Sequence, residues 1–289
     1  MTTPILVTGG SGTLGRHVVA RLRAAGRDVR VLSRRSRESG EGAEHVIGDL
    51  LSGEGIDSAV AGVDAIVHCA GSFKDDVKMT QTLVGAASRA GAPHIVYISV
   101  VGTDRIPVVG FGRLAFIYFR NKRDAERVVA ESGLPWTTLR ATQFFELFLT
   151  TAQGLTKLPV APVPARFRFQ PVDVDEVAAR LAELALGEPS GYVADLGGPR
   201  VYRMVDLIKS YARAAHLRRL FVPVWVGGKT ARAIRAGGNL IAGPLNAGHG
   251  RKTWEDFLAE RVGENHVGGE DLTRVVPSAS AMSEQVQQR

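Results

Sequence analysis

Ile5-Leu6-Val7-Thr8-Gly9-Gly10-Ser11-Gly12-Thr13-Leu14-Gly15 decides the fold. A short apolar run, a glycine-rich turn and the start of an amphipathic run follow one another without a break, which predicts strand, tight turn and helix. Gly9 lets the backbone turn sharply, Gly12 admits close approach to a pyrophosphate, and Gly15 lets the helix pack tightly on the strand. The free N–H groups and positive dipole end of that helix then favour phosphate. Gly9, Gly10, Ser11, Gly12, Thr13, Leu14 and Gly15 are therefore candidate cofactor-binding residues, and the expected fold class is α/β, a Rossmann-type doubly wound parallel sheet.

Working outward, short β-branched runs alternate with amphipathic ones as far as about residue 140, the pattern of successive βα units. Strands are expected at Ile5–Thr8, Val29–Ser33, His45–Ile47, Ala65–Cys69, His94–Ser99 and Trp136–Leu139. Helices are expected at Leu14–Ala25, Asp57–Ala61, Val77–Ala90 and Arg113–Ser132, several closed by a glycine such as Gly26, Gly91 or Gly133. Residues 1–140 thus read as an NADP-binding core. Residues 141–261 read as a substrate-binding region interleaved with it. That region holds a proline-rich stretch at Leu158–Pro164, a strand-like Phe167–Pro171, and helices at Val174–Leu186, Met204–Ala215 and Gly228–Ala236. Glycines at 227, 228, 237 and 238 make residues 202–247 a candidate lid. Residues 262–289 turn polar and are expected to be a loosely ordered tail.

The second strand runs into Ser33-Arg34-Arg35-Ser36-Arg37, where an NAD-selecting chain usually carries an acid for the ribose 2′-hydroxyl. Arg34 and Arg35 favour a 2′-phosphate instead, with plain solvated surface charges the competing reading, so the expected cofactor is NADPH/NADP+. After the third strand, Asp49 is placed to accept from an adenine amino group, with Leu50 beside it. A simple loop cap is the other reading of Asp49.

The chain has 289 residues and a net charge of +7, yet its basic residues are scattered among acids on helix-like segments, so no nucleic-acid partner is expected. The lone Cys69 cannot form an internal disulfide. The seven histidines lack metal-ligand spacing, so no metal is expected. Neither a signal peptide nor a run of about 18–20 apolar residues is read, which gives the expectation of a cytoplasmic protein without a membrane partner. The charged later turns of Arg113–Ser132 favour a monomer over a helix-paired dimer.

The TGGSGTLG turn, His68-Cys69-Ala70-Gly71 after the fourth strand, Ser99 ending the fifth and Tyr118-Phe119-Arg120-Asn121-Lys122 together resemble the short-chain dehydrogenase/reductase superfamily, in its extended and atypical, NmrA-like branch. The resemblance spans about residues 5–187 and implies that Ala70 and Gly71 line the cofactor ribose. It implies a catalytic group of Ser99, Tyr118 and Lys122, with Lys122 also binding the nicotinamide ribose. A charge four residues from a phenol on one helix face would favour its ionised form, which agrees. Tyr118 sits in an apolar run, and a core aromatic is the competing reading.

The reaction expected from this resemblance is NADPH-dependent reduction of a carbonyl on a small hydrophobic substrate. Phe144, Phe145 and Phe148, just past the sixth strand, are the candidate substrate-binding wall, and a plain core packing is the competing reading. Arginines outnumber lysines 29 to 7, as high-GC genomes produce, and the resemblance extends to polyketide-tailoring ketoreductases of the angucyclinone type, hence to polycyclic aromatic substrates and antibiotic biosynthesis. NADPH:quinone reduction and a non-catalytic NADP(H)-sensing regulator are the alternatives.

Overall fold

The computed structural model describes residues 3–35, 43–91, 93–107, 113–242 and 250–264. Its elements run β1 (Ile5–Thr8), α1 (Thr13–Ala24), β2 (Val29–Ser33), β3 (Ala43–Ile47), α2 (Ile56–Val60), β4 (Ala65–His68), α3 (Asp76–Arg89), β5 (His94–Val100), α4 (Arg113–Ala130) and β6 (Trp136–Ala141). There follow α5 (Phe145–Leu155), β7 (Val160–Pro164), β8 (Arg168–Phe169), α6 (Val174–Leu186), β9 (Gly191–Tyr192), β10 (Tyr202–Arg203), α7 (Met204–Ala214), β11 (Leu220–Val224), α8 (Lys229–Arg235) and α9 (Trp254–Glu264).

The main sheet has the order β3-β2-β1-β4-β5-β6-β9, and every pairing in it is parallel. This is the expected doubly wound fold. Strands of such a sheet are covered on both faces, so their residues are apolar throughout rather than alternating; β1 and β5 are accordingly buried along their whole lengths. On one face Ile5, Val7 and Val67 pack with Val18 and Leu22 of α1 and Val177 and Leu181 of α6. On the other, Leu6, Ile66 and Tyr97 pack with Leu83 of α3 and Ala125 and Val129 of α4. Helix α6 forms where expected because its apolar residues recur at helical spacing and the Asp173 side chain accepts from Asp175 N at 2.7 Å, capping its first turn.

The second half contains more regular structure than its sequence announces. Phe145, Phe148 and Ala152 recur at helical spacing and are the buried residues of α5. The proline-rich stretch is strand β7, paired in parallel with β11, a position open to proline because each is an edge strand. The expected cover over 202–247 divides. Helix α7 packs into the body of the molecule, with Leu207, Ile208 and Ala212 buried against α5, α9 and β7. The exposed part runs from β11 to the start of α8. Residues 243–249 lie outside the described residues. The expected tail begins within α9, and its residues past 264 lie outside them too. Among the described residues no helix is long and apolar enough to cross a membrane.

Candidate active site

The strand order reverses between β1 and β4, and an open parallel sheet leaves its ligand crevice at the carboxyl ends of such strands. Gly9 has φ +69°, and a Cβ there would stand 2.6 Å from Ala70 N, so the turns after β1 and β4 press together with no room for a side chain. A Cβ on Gly15 would run into the Gly9 carbonyl. Gly12 is the N-cap of α1; no side chain caps that helix and no acid lies in its first turn, which leaves its first N–H groups for an anion. Ser11, Gly12 and Thr13 are at or near the surface of this turn, whereas the Leu14 side chain is buried in the core, so only the Leu14 backbone serves the crevice.

Arg34 and Arg35 follow β2 on the surface, where the Ser33 hydroxyl donates to Arg35 O and fixes the first bend. Neither is ion-paired among the described residues. Asp49 Oδ1 accepts from Leu51 N at 2.8 Å, so one carboxylate oxygen makes the turn that the alternative reading of this residue expected. The Leu50 side chain packs with Leu32 and Ile56 in the core, which leaves its backbone to face the crevice side of the turn.

Beneath the crevice runs a directed chain of hydrogen bonds. Ala70 N donates to Thr8 Oγ1 at 3.2 Å, and Thr8 Oγ1 lies 2.7 Å from His68 Nδ1. On the other side of the ring His68 Nε2 lies 3.2 Å from Thr80 Oγ1, which donates to Asp76 O at 2.8 Å. Because Thr80 spends its proton on that carbonyl, it accepts from Nε2–H; Thr8 donates to Nδ1, and His68 is the neutral Nε2–H tautomer. Burial first, and then the Lys122 charge, push the His68 pKa down to about 4.

Asp76 opens α3 and is buried. Its Oδ1 accepts from Ser72 N at 2.7 Å and its Oδ2 lies 3.0 Å from Lys122 Nζ. Lys122, buried on α4, also donates to Tyr97 OH at 3.3 Å and to Ile98 O at 3.4 Å. Burial opposes its charge, but the facing Tyr97, Asp76 and Tyr118 outweigh this and raise its pKa. A Cβ added to Gly71 would lie 3.7 Å from Lys122 Nζ and 3.5 Å from Asp76 Oδ1, so the loop after β4 comes directly over the pair.

Tyr118 is partly buried, stacked on Phe73 with ring centroids 6.1 Å apart and edge-on to Phe119. Burial raises its phenol pKa against the pull of Lys122, so the phenol is protonated at neutral pH. Ser99 lies near the carboxyl end of β5, buried, with no hydrogen-bond partner for its Oγ among the described residues. Tyr118 and Lys122 shift one another electrostatically, the ammonium pulling the phenol pKa down and the phenol pushing that of the lysine up. Asp76, Tyr97, His68 and Thr80 were not among the expected site residues, since their pairing with Lys122 joins segments distant in sequence. The histidine beside Cys69, in the motif that carried the family resemblance, was the one available signal.

The aromatic run after β6 packs largely inward. Phe145 is fully buried against Trp254 and Phe257, and Phe148 packs on Phe169 with 3% exposure, so neither offers a contact surface. Phe144 is partly buried against the main core. The partly exposed aromatic next to Tyr118 is Phe73 instead.

Residues 9–185 match the family described as NAD(P)H-binding. A (4-alkanoyl-5-oxo-2,5-dihydrofuran-3-yl)methyl phosphate reductase from Streptomyces griseus is 34% identical over 183 residues, covering 61% of this chain and 60% of that protein. An NAD(P)H azoreductase from Xenophilus azovorans is 29% identical over 218 residues, 73% of each chain. This chain therefore spans only about three-fifths of the first of these relatives. Among solved structures, an NADPH-dependent quinone oxidoreductase from Escherichia coli in complex with NADPH superposes with a TM-score of 0.75 at 18% identity, over 89% of this chain and 99% of that one. A short-chain dehydrogenase/reductase superfamily protein from Agrobacterium tumefaciens with bound NAD gives 0.66 at 22% identity, over 91% and 97%. The resemblance read from the motifs is borne out in family and fold.

Proposed function

Because this chain belongs to the NAD(P)H-binding family, with the short-chain dehydrogenase/reductase architecture, we propose that it is an NADPH-dependent reductase acting on a carbonyl of a hydrophobic substrate. The observation that carries this reading is the grouping at the crevice: Lys122 held beside Tyr118 under the Gly71 loop, with the buried Ser99 hydroxyl at the end of β5 unpartnered among the described residues. A binding-only sensor needs the phosphate turn but has no use for a protonated phenol beside a buried ammonium.

The residues fit the cofactor. The glycine turn and the start of α1 would hold its pyrophosphate, Arg34 and Arg35 its 2′-phosphate, Asp49 the adenine amino group, and Ala70 and Gly71 the ribose. When bound, NADPH supplies the hydride. The chain supplies orientation and a proton. Ser99 Oγ is free to donate to a carbonyl oxygen, Tyr118 carries the proton, and Lys122 fixes the electrostatics beneath both. Two of the relatives named above are reductases of a furanone phosphate and of azo compounds, which supports reduction as the reaction class.

One observation favours a quinone among the carbonyl substrates. Burial above all holds the Tyr118 phenol above its ordinary pKa, and Asp76, 3.0 Å from Lys122, offsets the ammonium that would otherwise lower it. That makes it a weaker acid than an unpaired lysine would. Reduction of a quinone asks less of the donor, because the hydroquinone oxygens can take protons from water. Steady NADPH oxidation against a panel of aromatic ketones and quinones tests the reading. Turnover of either class supports it, and cofactor binding with no turnover of any would leave the sensor.

A further inference from the structure

The two-stranded sheet formed by β7 and β11 is apolar on both faces. Its inner face, Ala161 and Val163, is buried. Its outer face lies open to solvent and should be polar, yet it presents Val160 and Pro162 registered against Leu220 and Val222, all exposed. Leu220 is 61% exposed. The apolar surface continues through Val224 into Trp225, which is 66% exposed, and Val226, so consecutive residues rather than alternate ones face outward. A contiguous patch of this kind marks an interaction surface.

The charge around it identifies the partner. Residues 155–169 and 217–242, which contain both strands and α8, carry eight lysines and arginines and no aspartate or glutamate. None of the eight forms a salt bridge among the described residues, whereas arginines elsewhere, such as Arg21, Arg30, Arg89 and Arg140, are paired with acids. The net charge of the whole chain is +7, so this region accounts for all of it. Exposed Lys157 and Arg218 stand at the starts of the two strands, and Lys229 and Arg232 follow Trp225 on α8. The Arg235 guanidinium lies 4.1 Å above the Trp225 ring, placing indole and cation together.

An exposed tryptophan among aliphatic side chains, ringed by unpaired cations, suits the boundary of an anionic bilayer, where the indole enters the headgroup layer and lysine and arginine meet lipid phosphate. A second copy of the chain suits it poorly, since a two-fold contact would set one cationic ring against another. We propose that this face docks on the surface of an anionic phospholipid membrane. It is surface attachment, not a span, and to that extent revises the expectation of no membrane partner. Ala231 and Ile234 of α8 pack with Phe119 and Tyr118, so docking brings the substrate side of the molecule to the lipid. The proposal does not depend on which substrate is reduced.

The test uses the full chain with NADPH and vesicles of phosphatidylcholine alone or mixed equally with phosphatidylglycerol. Co-sedimentation is expected with the mixed vesicles only, weakening with salt, and brominated lipid should quench the exposed Trp225; Trp254 is fully buried. Lys229→Gln with Arg232→Gln should lower partitioning by about fivefold per charge removed. Val224→Ser with Trp225→Ser should abolish quenching and weaken binding with the charges intact. NADPH affinity, expected unchanged in both variants, reports that they fold. No sedimentation with mixed vesicles, sedimentation equal in all variants, or sedimentation without Trp225 quenching would overturn the proposal. So would a concentration-dependent dimer that the same substitutions dissolve, which would make the face a self-interface.

Discussion

Lys122 Nζ and Asp76 Oδ2, on neighbouring helices of the same sheet face, lie 3.0 Å apart and are both almost wholly buried. The pair anchors α3 to α4 under the cofactor crevice and sets the field that Tyr118 feels. Removing one member of a buried pair leaves the other charge without compensation, at about 3–5 kcal/mol. Asp76→Asn should therefore cost about that much in urea unfolding. Asp76→Asn combined with Lys122→Met should recover a large part of it, and equal losses in the single and double variants would show the pair to be uncoupled.

In whatever Asp76→Asn protein remains folded, Lys122 acts on the phenol unopposed. The pH at which ketone turnover declines on the alkaline side should then move down. An unmoved profile would place the proton donor elsewhere than Tyr118.

His68 gives a pH dependence of stability. Its folded pKa of about 4 lies below the unfolded value of 6.5, so between these pH values the unfolded chain binds the extra proton. Stability from the neutral ring is fully present above about pH 6.5 and is lost as the pH falls toward 4, by about 1.4 kcal/mol per pH unit across that window. Urea midpoints measured across it should fall in the wild type and fall less steeply in His68→Gln.

How far the sequence revealed this site depends on the range of its interactions. The β1 turn was legible because one local stretch carries the strand, the tight turn and the helix start, and a Cβ at Gly9 would meet backbone. The Tyr118–Lys122 relation was legible because four residues on a helix bring two side chains to one face. Asp76 was not, since its relation to Lys122 exists only once α3 and α4 lie side by side. Phe145 and Phe148 left two readings open for a related reason: an aromatic run reads alike whether it lines a pocket or fills a core. Here α7 and α9 bury it, both far from it in sequence. The parallel pairing of β7 with β11 was hidden behind prolines, which an edge strand tolerates.

Arg34 and Arg35 carry the prediction of cofactor choice. Charge-assisted hydrogen bonds to a phosphate contribute about 1.5–3 kcal/mol, or roughly ten- to hundredfold. Arg34→Ala with Arg35→Ala should weaken NADPH binding by about that factor in a fluorescence titration and leave NADH affinity nearly unchanged. Equal losses for both cofactors would remove these residues from the 2′-phosphate.

Tyr118→Phe separates the two carbonyl classes. If the phenol is the donor, kcat on an aromatic ketone should fall by about 10²–10⁴ with NADPH affinity intact. On a quinone the fall should be much smaller. A near-normal rate on the ketone would assign the proton to Ser99, to water or to the substrate itself.

The central claim, that this chain delivers a hydride from NADPH to a carbonyl, is tested most directly by labelling the transferable position of NADPH with deuterium and reading product mass. Incubation with the ketone and quinone panel is predicted to give a reduced product whose formation consumes NADPH in equal amount, with the label on carbon in a ketone product. Tight NADPH binding without any reduced product, or a ketone product that carries no label on carbon, would contradict the account.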